Sequence, residues 1–136
     1  MTPTDPLVAA AILAREHAFA PYSGFRVGAA LEAEDGRIIS GCNVESASYG
    51  LTICAERVAI VKAVSEGHTR FRRVAVVADT PTLTPPCGAC RQLLHEFAAD
   101  AEVVLANLHS DTATHQMRDL LPHAFGASQF RPTANE

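Results

Sequence analysis

Two short segments hold the side chains best suited to chemistry, Cys54-Ala55-Glu56-Arg57 and Pro86-Cys87-Gly88-Ala89-Cys90. Together they offer three thiols and one carboxylate. Three thiolates can hold one Zn²⁺ and leave its fourth tetrahedral position to water, which is typical of a catalytic rather than a structural zinc site. Glu56, two residues after the first thiol, is then well placed to move the protons of that water.

The other cysteine and the histidines provide no obvious fourth ligand. Cys42 lies on a predicted strand, where a small buried side chain is the simpler interpretation. The histidines show no ligand spacing to the thiols; they are His17, His68, His95, His109, His115 and His123. We therefore favour a catalytic site with three protein ligands over two alternatives, a structural zinc site and a redox dithiol.

Arg57 completes the first segment. One Zn²⁺ with three thiolates leaves an excess negative charge, which makes a bound water harder to ionise. A guanidinium that donates hydrogen bonds to thiolate sulfur would offset that charge. The alternative is an ordinary arginine that faces solvent on a helix.

Both segments are predicted to begin helices. The apolar face of the first of these helices is predicted from Val58, Ile60, Val61 and Val64. Asp35-Gly36 indicates a hairpin between two strands, and the run from Arg73 to Ala78 is typical of a buried parallel strand. The predicted order is helix from Asp5-Pro6 to Pro21, strand Phe25 to Ala33, strand Arg37 to Asn43, helix Cys54 to Glu66, strand Arg73 to Ala78, helix Cys87 to Ala98, strand Glu102 to Asn107 and a short helix near Met117 to Leu121.

This order favours an α/β fold with helices on both faces of a mixed sheet, in a single domain that spans residues 1–136. Both thiol-bearing helices follow β segments. Their N-termini should therefore converge at one end of the sheet, where α/β proteins usually bind ligands.

Composition narrows the class of partner. The chain has 136 residues, of which 48% are hydrophobic and 19% charged, with a net charge of -4 and a pI of about 5.8. The one tight basic cluster, Arg70, Arg72 and Arg73, is interpreted as a solvated strand edge, so we expect no nucleic-acid partner. No apolar run approaches the roughly 18 residues of a membrane helix. The N-terminal segment shows no basic leader, and we expect a cytoplasmic protein.

Five segments, in order, resemble motifs of the zinc-dependent nucleoside and nucleobase deaminases, and within them the small homotetrameric cytidine deaminase family. The similarity covers nearly the whole chain. It departs from the family over residues 49–53, which vary there, and at the extra proline of Thr84-Pro85-Pro86. The similar segments are residues 21–31, 41–45, 54–57 and 86–92, and Leu120-Leu121-Pro122 with Phe125.

The resemblance implies a three-layer α-β-α fold with a mixed five-stranded sheet. It implies one Zn²⁺ per subunit, held by Cys54, Cys87 and Cys90, with Glu56 and Arg57 as catalytic residues. Substrate-binding residues implied by the resemblance are Phe25, Asn43, Val44, Glu45, Tyr49, Ala55 and Phe125.

Asn43 and Glu45 would hold the ribose 3′-hydroxyl, since an amide and a carboxylate can bind a sugar hydroxyl together. Phe25 would line the base pocket. Phe125 would stack on the base from a neighbouring subunit, and Tyr49 would likewise reach across an interface. Loop capping by Asn43 and Glu45, and ordinary packing of Phe25 and Tyr49, are the alternatives.

The expected reaction is hydrolytic deamination of cytidine and 2′-deoxycytidine to uridine and 2′-deoxyuridine, with release of ammonia, as in pyrimidine salvage. Three alternatives stay open at this point. They are a deaminase of blasticidin S, a polynucleotide cytosine editor, and a non-catalytic binding module stabilised by zinc. Glu56 speaks against the last, because a structural zinc site does not need it.

Overall fold

The computed structural model describes residues 5–130. Helices are labelled α and strands β. Two single-turn 3₁₀ helices, Tyr49–Leu51 and Ala127–Gln129, lie outside these elements. In chain order the elements are α1 (Pro6–Arg15), β1 (Val27–Ala33), β2 (Ile38–Cys42), α2 (Ala55–Ser65), β3 (Phe71–Ala78), α3 (Gly88–Ala98), β4 (Glu102–Ala106), β5 (Thr112–Gln116) and α4 (Met117–Leu120).

The strands form one mixed sheet in the order β2-β1-β3-β4-β5. The β3–β4 pair is parallel and the other pairs are antiparallel. Along β3, Val74 and Val76 pack into the core shared with α2 and α3, whereas Ala75 and Val77 pack into the core shared with α1. The predicted three-layer α/β fold with a five-stranded sheet is confirmed.

The buried face of α2 differs from the prediction. Its buried residues are Ala55, Glu56, Ala59, Ile60 and Ala63, whereas Val61 is 54% exposed. Gly41 of β2 explains the preference for alanine, because a Cβ added there would lie 2.6 Å from the backbone nitrogen of Ala59. Large aliphatic side chains do not fit between a helix and a strand this close together.

Two further elements differ from the sequence prediction. Helix α1 ends at Arg15 rather than near Pro21, because the backbone at Phe19 pairs with the chain at Val44 instead of continuing the helix. Strand β5 had no predicted counterpart in the sequence. Four of its five residues are exposed, so this edge strand carries little of the apolar alternation that identifies a strand.

None of the helices in the described part of the chain has both the length and the apolar character needed to cross a bilayer.

Candidate functional site

Two helix N-termini position the three thiols. Cys54 is the N-cap of α2, and Cys87 is the N-cap of α3. Cys90 lies in the first turn of α3, fully buried, and its backbone nitrogen donates to Cys87 Sγ at 3.5 Å. Helix N-termini stabilise negative charge, so this placement favours the thiolates that a metal requires.

The three sulfur atoms converge as the sequence predicts. Cys54 Sγ lies 3.9 Å from Cys87 Sγ, which lies 3.4 Å from Cys90 Sγ, and all three are within 4.8 Å of one another. Two sulfurs bound tetrahedrally to Zn²⁺ at about 2.3 Å are about 3.8 Å apart. The donor atoms and their spacing therefore fit a Zn²⁺ ion.

Neither Cys42 nor any histidine belongs to this cluster in the described part of the chain. Cys42 is a half-buried free thiol whose backbone pairs with Gly28 across the β1–β2 ladder. The ligand set offered by residues 5–130 is therefore three thiols, with room for one further ligand at a tetrahedral ion.

The thiols differ in acidity. A hydrogen bond from the Cys90 thiol lowers the pKa of Cys54 to about 5, against the opposing effect of burial, and Arg57 also lowers it. The same contact with Cys54, together with burial and the nearby Glu56 charge, raises the pKa of Cys90. Cys54 is thus the first of the pair to become a thiolate, and binding of a divalent cation would release the proton of the other thiol.

Arg57 contacts the first thiol directly. Its Nη2 donates to Cys54 Sγ at 3.7 Å and to the carbonyl oxygen of Thr52 at 3.4 Å. Its Nε is buried and makes no hydrogen bond with any residue between 5 and 130. The guanidinium contacts the sulfur cluster, as the prediction from charge balance requires, although the residue is only half-buried.

Glu56 is buried, with only 4% of its surface exposed. Burial raises the pKa of its carboxyl group, and the negative charge of Cys54 acts in the same direction. A raised pKa makes a carboxyl group a better proton acceptor, which favours a role in general acid–base catalysis. The side chain borders a cavity of about 220 Å³.

This cavity brings together most of the predicted site. Seven predicted residues line it: Phe25, Asn43, Glu45, Cys54, Ala55, Glu56 and Cys87. Five further lining residues were not assigned a role from sequence: Val27, Thr52, Val76, Thr84 and Pro85. Nothing in the local sequence of these five residues indicates a ligand site. They line the cavity because of the sheet register and the path of the segment before Cys87. A larger cleft of about 470 Å³, near Arg70 and Asp100, contains none of the described thiols.

Asn43 is 7% exposed and binds the backbone of the segment that leads into β1. Its Oδ1 accepts from Val27 N at 2.9 Å, and its Nδ2 donates to Phe25 O at 2.7 Å. An amide has two acceptor and two donor positions, so half of its capacity is left for a ligand. The capping contact and the predicted ligand contact are therefore compatible.

Glu45 holds the turn that precedes β1. Its Oε1 accepts from Tyr22 N at 2.9 Å and from Ser23 N at 3.1 Å, and Oε2 accepts from the Ser23 hydroxyl. The Ser23 hydroxyl bond lowers the pKa of this carboxyl group, and the two backbone donors add to the effect. Glu45 is therefore an anion at neutral pH and a hydrogen-bond acceptor at the mouth of the cavity.

Among the predicted substrate-binding residues, Val44, Tyr49 and Phe125 lie outside the cavity lining formed by this one chain. The backbone of Val44 forms bridges with Phe19 and Ile53, and its side chain is 42% exposed. Tyr49 is 76% exposed, packs edge-on against Tyr22, and borders a neighbouring cavity of about 380 Å³ that shares Glu45 with the first. Phe125 packs edge-on against Phe130, and its carbonyl accepts a bond from Gln92 on α3.

Comparison with known protein families identifies the family to which this chain belongs. A family model described as the cytidine and deoxycytidylate deaminase zinc-binding region matches residues 1–107. The chain belongs to the cytidine and deoxycytidylate deaminase family. The resemblance stated from the sequence motifs is thereby confirmed, and the donor set is the kind that a zinc-binding region of this family would contribute.

Curated relatives from this family match over most of their length. The chain is 54% identical to a cytidine deaminase of Halalkalibacterium halodurans over 122 residues, which covers 89% of this chain and 92% of that protein. It is 47% identical to a cytidine deaminase of Sporosarcina psychrophila over 133 residues, covering 97% and 98%. A blasticidin-S deaminase of Bacillus cereus is more distant, at 32% identity over 104 residues.

Solved deaminase structures share the fold. The crystal structure of cytidine deaminase from Burkholderia pseudomallei superposes with a TM-score of 0.85 at 50% identity, covering 88% of this chain and 96% of that chain. For cytidine deaminase from Mycobacterium tuberculosis the TM-score is 0.76 at 41% identity, covering 88% and 94%.

Proposed function

We propose that this protein is a zinc-dependent enzyme that hydrolyses cytidine and 2′-deoxycytidine to uridine and 2′-deoxyuridine, with release of ammonia. One observation carries the proposal. Two of the three clustered thiols, those of Cys54 and Cys87, border the same cavity as the buried carboxyl group of Glu56. Family membership and relatives named cytidine deaminase at 47% and 54% identity support the choice of substrate.

Cys54, Cys87 and Cys90 would hold one Zn²⁺ per chain. Zinc in a site with an open position lowers the pKa of a water molecule toward 7, which makes a nucleophile available at neutral pH. Arg57 would stabilise the thiolate form of Cys54 by hydrogen bonding to its sulfur.

Glu56 would carry the protons of the reaction. It accepts a proton from the attacking water and delivers it to ring N3 while the water oxygen bonds to C4. It then passes the second proton of that water to the exocyclic amine, the C4–N bond breaks, and ammonia leaves. Water supplies the oxygen of the uracil product, so the atoms balance without any other reactant.

The remaining cavity residues would bind the nucleoside. Phe25 would flank the base, and Ala55, at the first position of α2, would contact it through the backbone. Asn43 and Glu45 would bind the ribose 3′-hydroxyl with the hydrogen-bonding capacity left over from their own contacts. Val44 would place them by pairing its backbone with neighbouring chain segments on both sides.

Residues 1–136 would form a single catalytic domain that assembles as a homotetramer, with active sites near the subunit interfaces. The exposure of Tyr49 and Phe125, at 76% and 57%, supports contributions from these aromatics to neighbouring subunits. A cytoplasmic location and a role in pyrimidine salvage would suit an enzyme whose thiols must stay reduced. Nucleic acid is not proposed as a partner, since net charge is -4 and Arg73 pairs with Asp5.

The test is to incubate the purified protein with cytidine and follow the ultraviolet spectrum of the base, with zinc content measured on the same sample. Turnover by protein that contains one zinc per chain is the expected result. Faster turnover of blasticidin S than of cytidine would instead favour the activity named for the more distant relative. A bound zinc with no turnover of either nucleoside would contradict the proposal.

A further inference from the structure

Asn107 is a buried polar residue that sequence motifs do not single out. Residues 5–130 contain three buried polar or charged residues, Asn43, Glu56 and Asn107, and the first two line the cavity. Asn107 is 4% exposed and lies directly after β4. Burial of an amide is costly unless its hydrogen bonds are satisfied, so its partners indicate what it does.

All four hydrogen-bonding positions of the Asn107 side chain are used. Oδ1 accepts from His109 N at 2.9 Å and from Asp111 N at 3.0 Å, which closes the turn between β4 and β5. Nδ2 donates to Asp111 Oδ2 at 2.9 Å within that turn, and to the carbonyl oxygen of Thr80 at 3.0 Å outside it. The Thr80 bond is therefore the one contact that leaves the turn.

Thr80 lies near the start of the segment, residues 79–87, that leads from β3 to Cys87. β3 and β4 are parallel neighbours with Val77 opposite Ala106, so Asn107 lies beside the point where the segment leaves the sheet. The Thr80 hydroxyl lies 3.1 Å from the Thr84 hydroxyl. Thr84 and the next residue, Pro85, line the cavity, and Cys87 follows them.

The other end of this segment is also held. The carbonyl oxygen of Pro86 accepts from Arg91 Nε at 2.7 Å, and Pro86 is fully buried. A segment without regular secondary structure is thus fixed at Thr80 by Asn107 and at Pro86 by Arg91. Thr84 and Pro85, which line the cavity, lie between these two fixed points, and Cys87 directly follows the second.

We propose that Asn107 is a positioning residue for the nucleoside cavity and for the Cys87 ligand, acting through Thr80. The part of the inference that concerns the nucleoside cavity rests on the proposed deaminase function. The part that concerns Cys87 as a zinc ligand does not depend on that function.

Asn107→Asp keeps an acceptor for the backbone nitrogens of His109 and Asp111, but it turns Nδ2, which donates to both the Thr80 carbonyl and Asp111 Oδ2, into an oxygen that repels both. It is therefore made together with Asp111→Asn, whose side-chain amide can donate to the new carboxylate, so that the contact with Thr80 is the one that is lost. Asp111→Ala is the matched control, because it removes one bond inside the turn and leaves the Thr80 bond in place.

Both variants are purified with zinc bound and compared with the parent protein. Three quantities are measured: the melting temperature, the rate of zinc transfer to a chelator without substrate, and KM and kcat for cytidine. For the double variant we expect zinc release and KM each to rise about 10-fold or more, as for loss of a contact that orients a ligand. For Asp111→Ala we expect a lower melting temperature, with zinc release and KM within about twofold of the parent.

Equal zinc release from the two variants would overturn the inference, because Asn107 would then only close its turn. If the double variant does not fold, Thr80→Val replaces it, since it removes the hydroxyl contact with Thr84. Its KM should rise about two- to tenfold, the effect of one hydrogen bond, and an unchanged KM would overturn the inference. A parent protein that releases zinc normally but never converts cytidine would contradict the proposed function instead.

Discussion

Nη2 of Arg57 lies 3.7 Å from Cys54 Sγ and 3.4 Å from the carbonyl oxygen of Thr52. One guanidinium therefore joins the first thiol of the metal cluster to a residue that lines the cavity. The contact offers a positive charge and a directed donor to a sulfur that carries negative charge. Loss of this guanidinium would therefore affect both the charge near Cys54 and the position of Thr52 in the cavity wall.

Arg57→Ala should weaken zinc binding and lower kcat/KM for cytidine, each by about 10- to 100-fold, because a partner of a ligand is lost. Arg57→Lys should lower zinc affinity and kcat/KM less than Arg57→Ala does, since lysine keeps the positive charge but lacks the planar donor group. Zinc affinity is measured by competition with a chelator. Arg118→Ala, which removes an arginine that is 67% exposed, is the control, and equal affinity of Arg57→Ala and this control would contradict the prediction.

Glu56→Gln should abolish most of the activity and leave the fold intact. Removing a general acid–base group costs about 10²- to 10⁴-fold in rate. Since burial raises the pKa of Glu56, a neutral isostere relieves a cost of burial, and the melting temperature should not fall. Zinc content is measured beside kcat, and activity near the parent level in a zinc-loaded variant would exclude the proposed role.

Gly41→Ala should destabilise the protein and weaken its metal site together. The added Cβ would lie 2.6 Å from Ala59 N and 3.0 Å from Ala55 O, both backbone atoms of α2. Overpacking typically costs about 1–3 kcal/mol, and relief by moving α2 would displace Cys54 and Glu56. Thermal unfolding and zinc affinity are the measurements.

Gly50→Ala is the control for this substitution, because its added Cβ would meet no atom within 4 Å. Loss of stability without any change in zinc affinity in Gly41→Ala would show that α2 does not transmit the strain to the site.

Asp5 links α1 to the sheet and makes stability depend on acid pH. Its carboxylate pairs with Arg73 and accepts from Leu7 N at 2.9 Å as the N-cap of α1. The Arg73 hydrogen bond, with the cap bond in support, lowers the pKa of Asp5. A group whose pKa is lower in the folded state stabilises the fold above the unfolded pKa of about 4, and this contribution is lost as pH falls through the folded pKa.

Asp5→Ala should cost about 1–2 kcal/mol of unfolding free energy at pH 7, because both the cap and a partly exposed ion pair are lost. Asp5→Asn should cost less, since asparagine is a good N-cap. Denaturant titrations at pH 7 and pH 3 provide the measurement. A difference between parent and Asp5→Asn that is as large at pH 3 as at pH 7 would contradict the role of the charge.

Sequence patterns anticipated the parts of the molecule that depend on local chemistry. The spacing of Cys87 and Cys90 at a helix start places two sulfurs on one side of a turn in any fold. The Asp35-Gly36 turn and the apolar run of β3 are similarly local, and both elements form where they were expected. The exposed strand β5 was missed because it buries little and so carries little pattern.

The alanine-rich face of α2 shows why the remaining details could not be predicted. Apolar periodicity favours large aliphatic side chains, but the distance between α2 and β2 is set by Gly41, a residue on another element. Asn107 is a similar case. Its bond to Thr80 joins residues that are distant in sequence and adjacent only because β3 and β4 are parallel neighbours.

The sequence by itself predicted the donor set, the candidate proton carrier and the fold class, because the types of side chain, their spacing and the starts of helices are visible locally. The tertiary structure decided the geometry of these predictions: the 3.9 Å distance from Cys54 Sγ to Cys87 Sγ, the contact of Arg57 with Cys54 Sγ, and the burial of Glu56 beside the cavity. Each of these facts depends on the relative placement of two or more elements, which sheet register and helix packing set and local sequence does not.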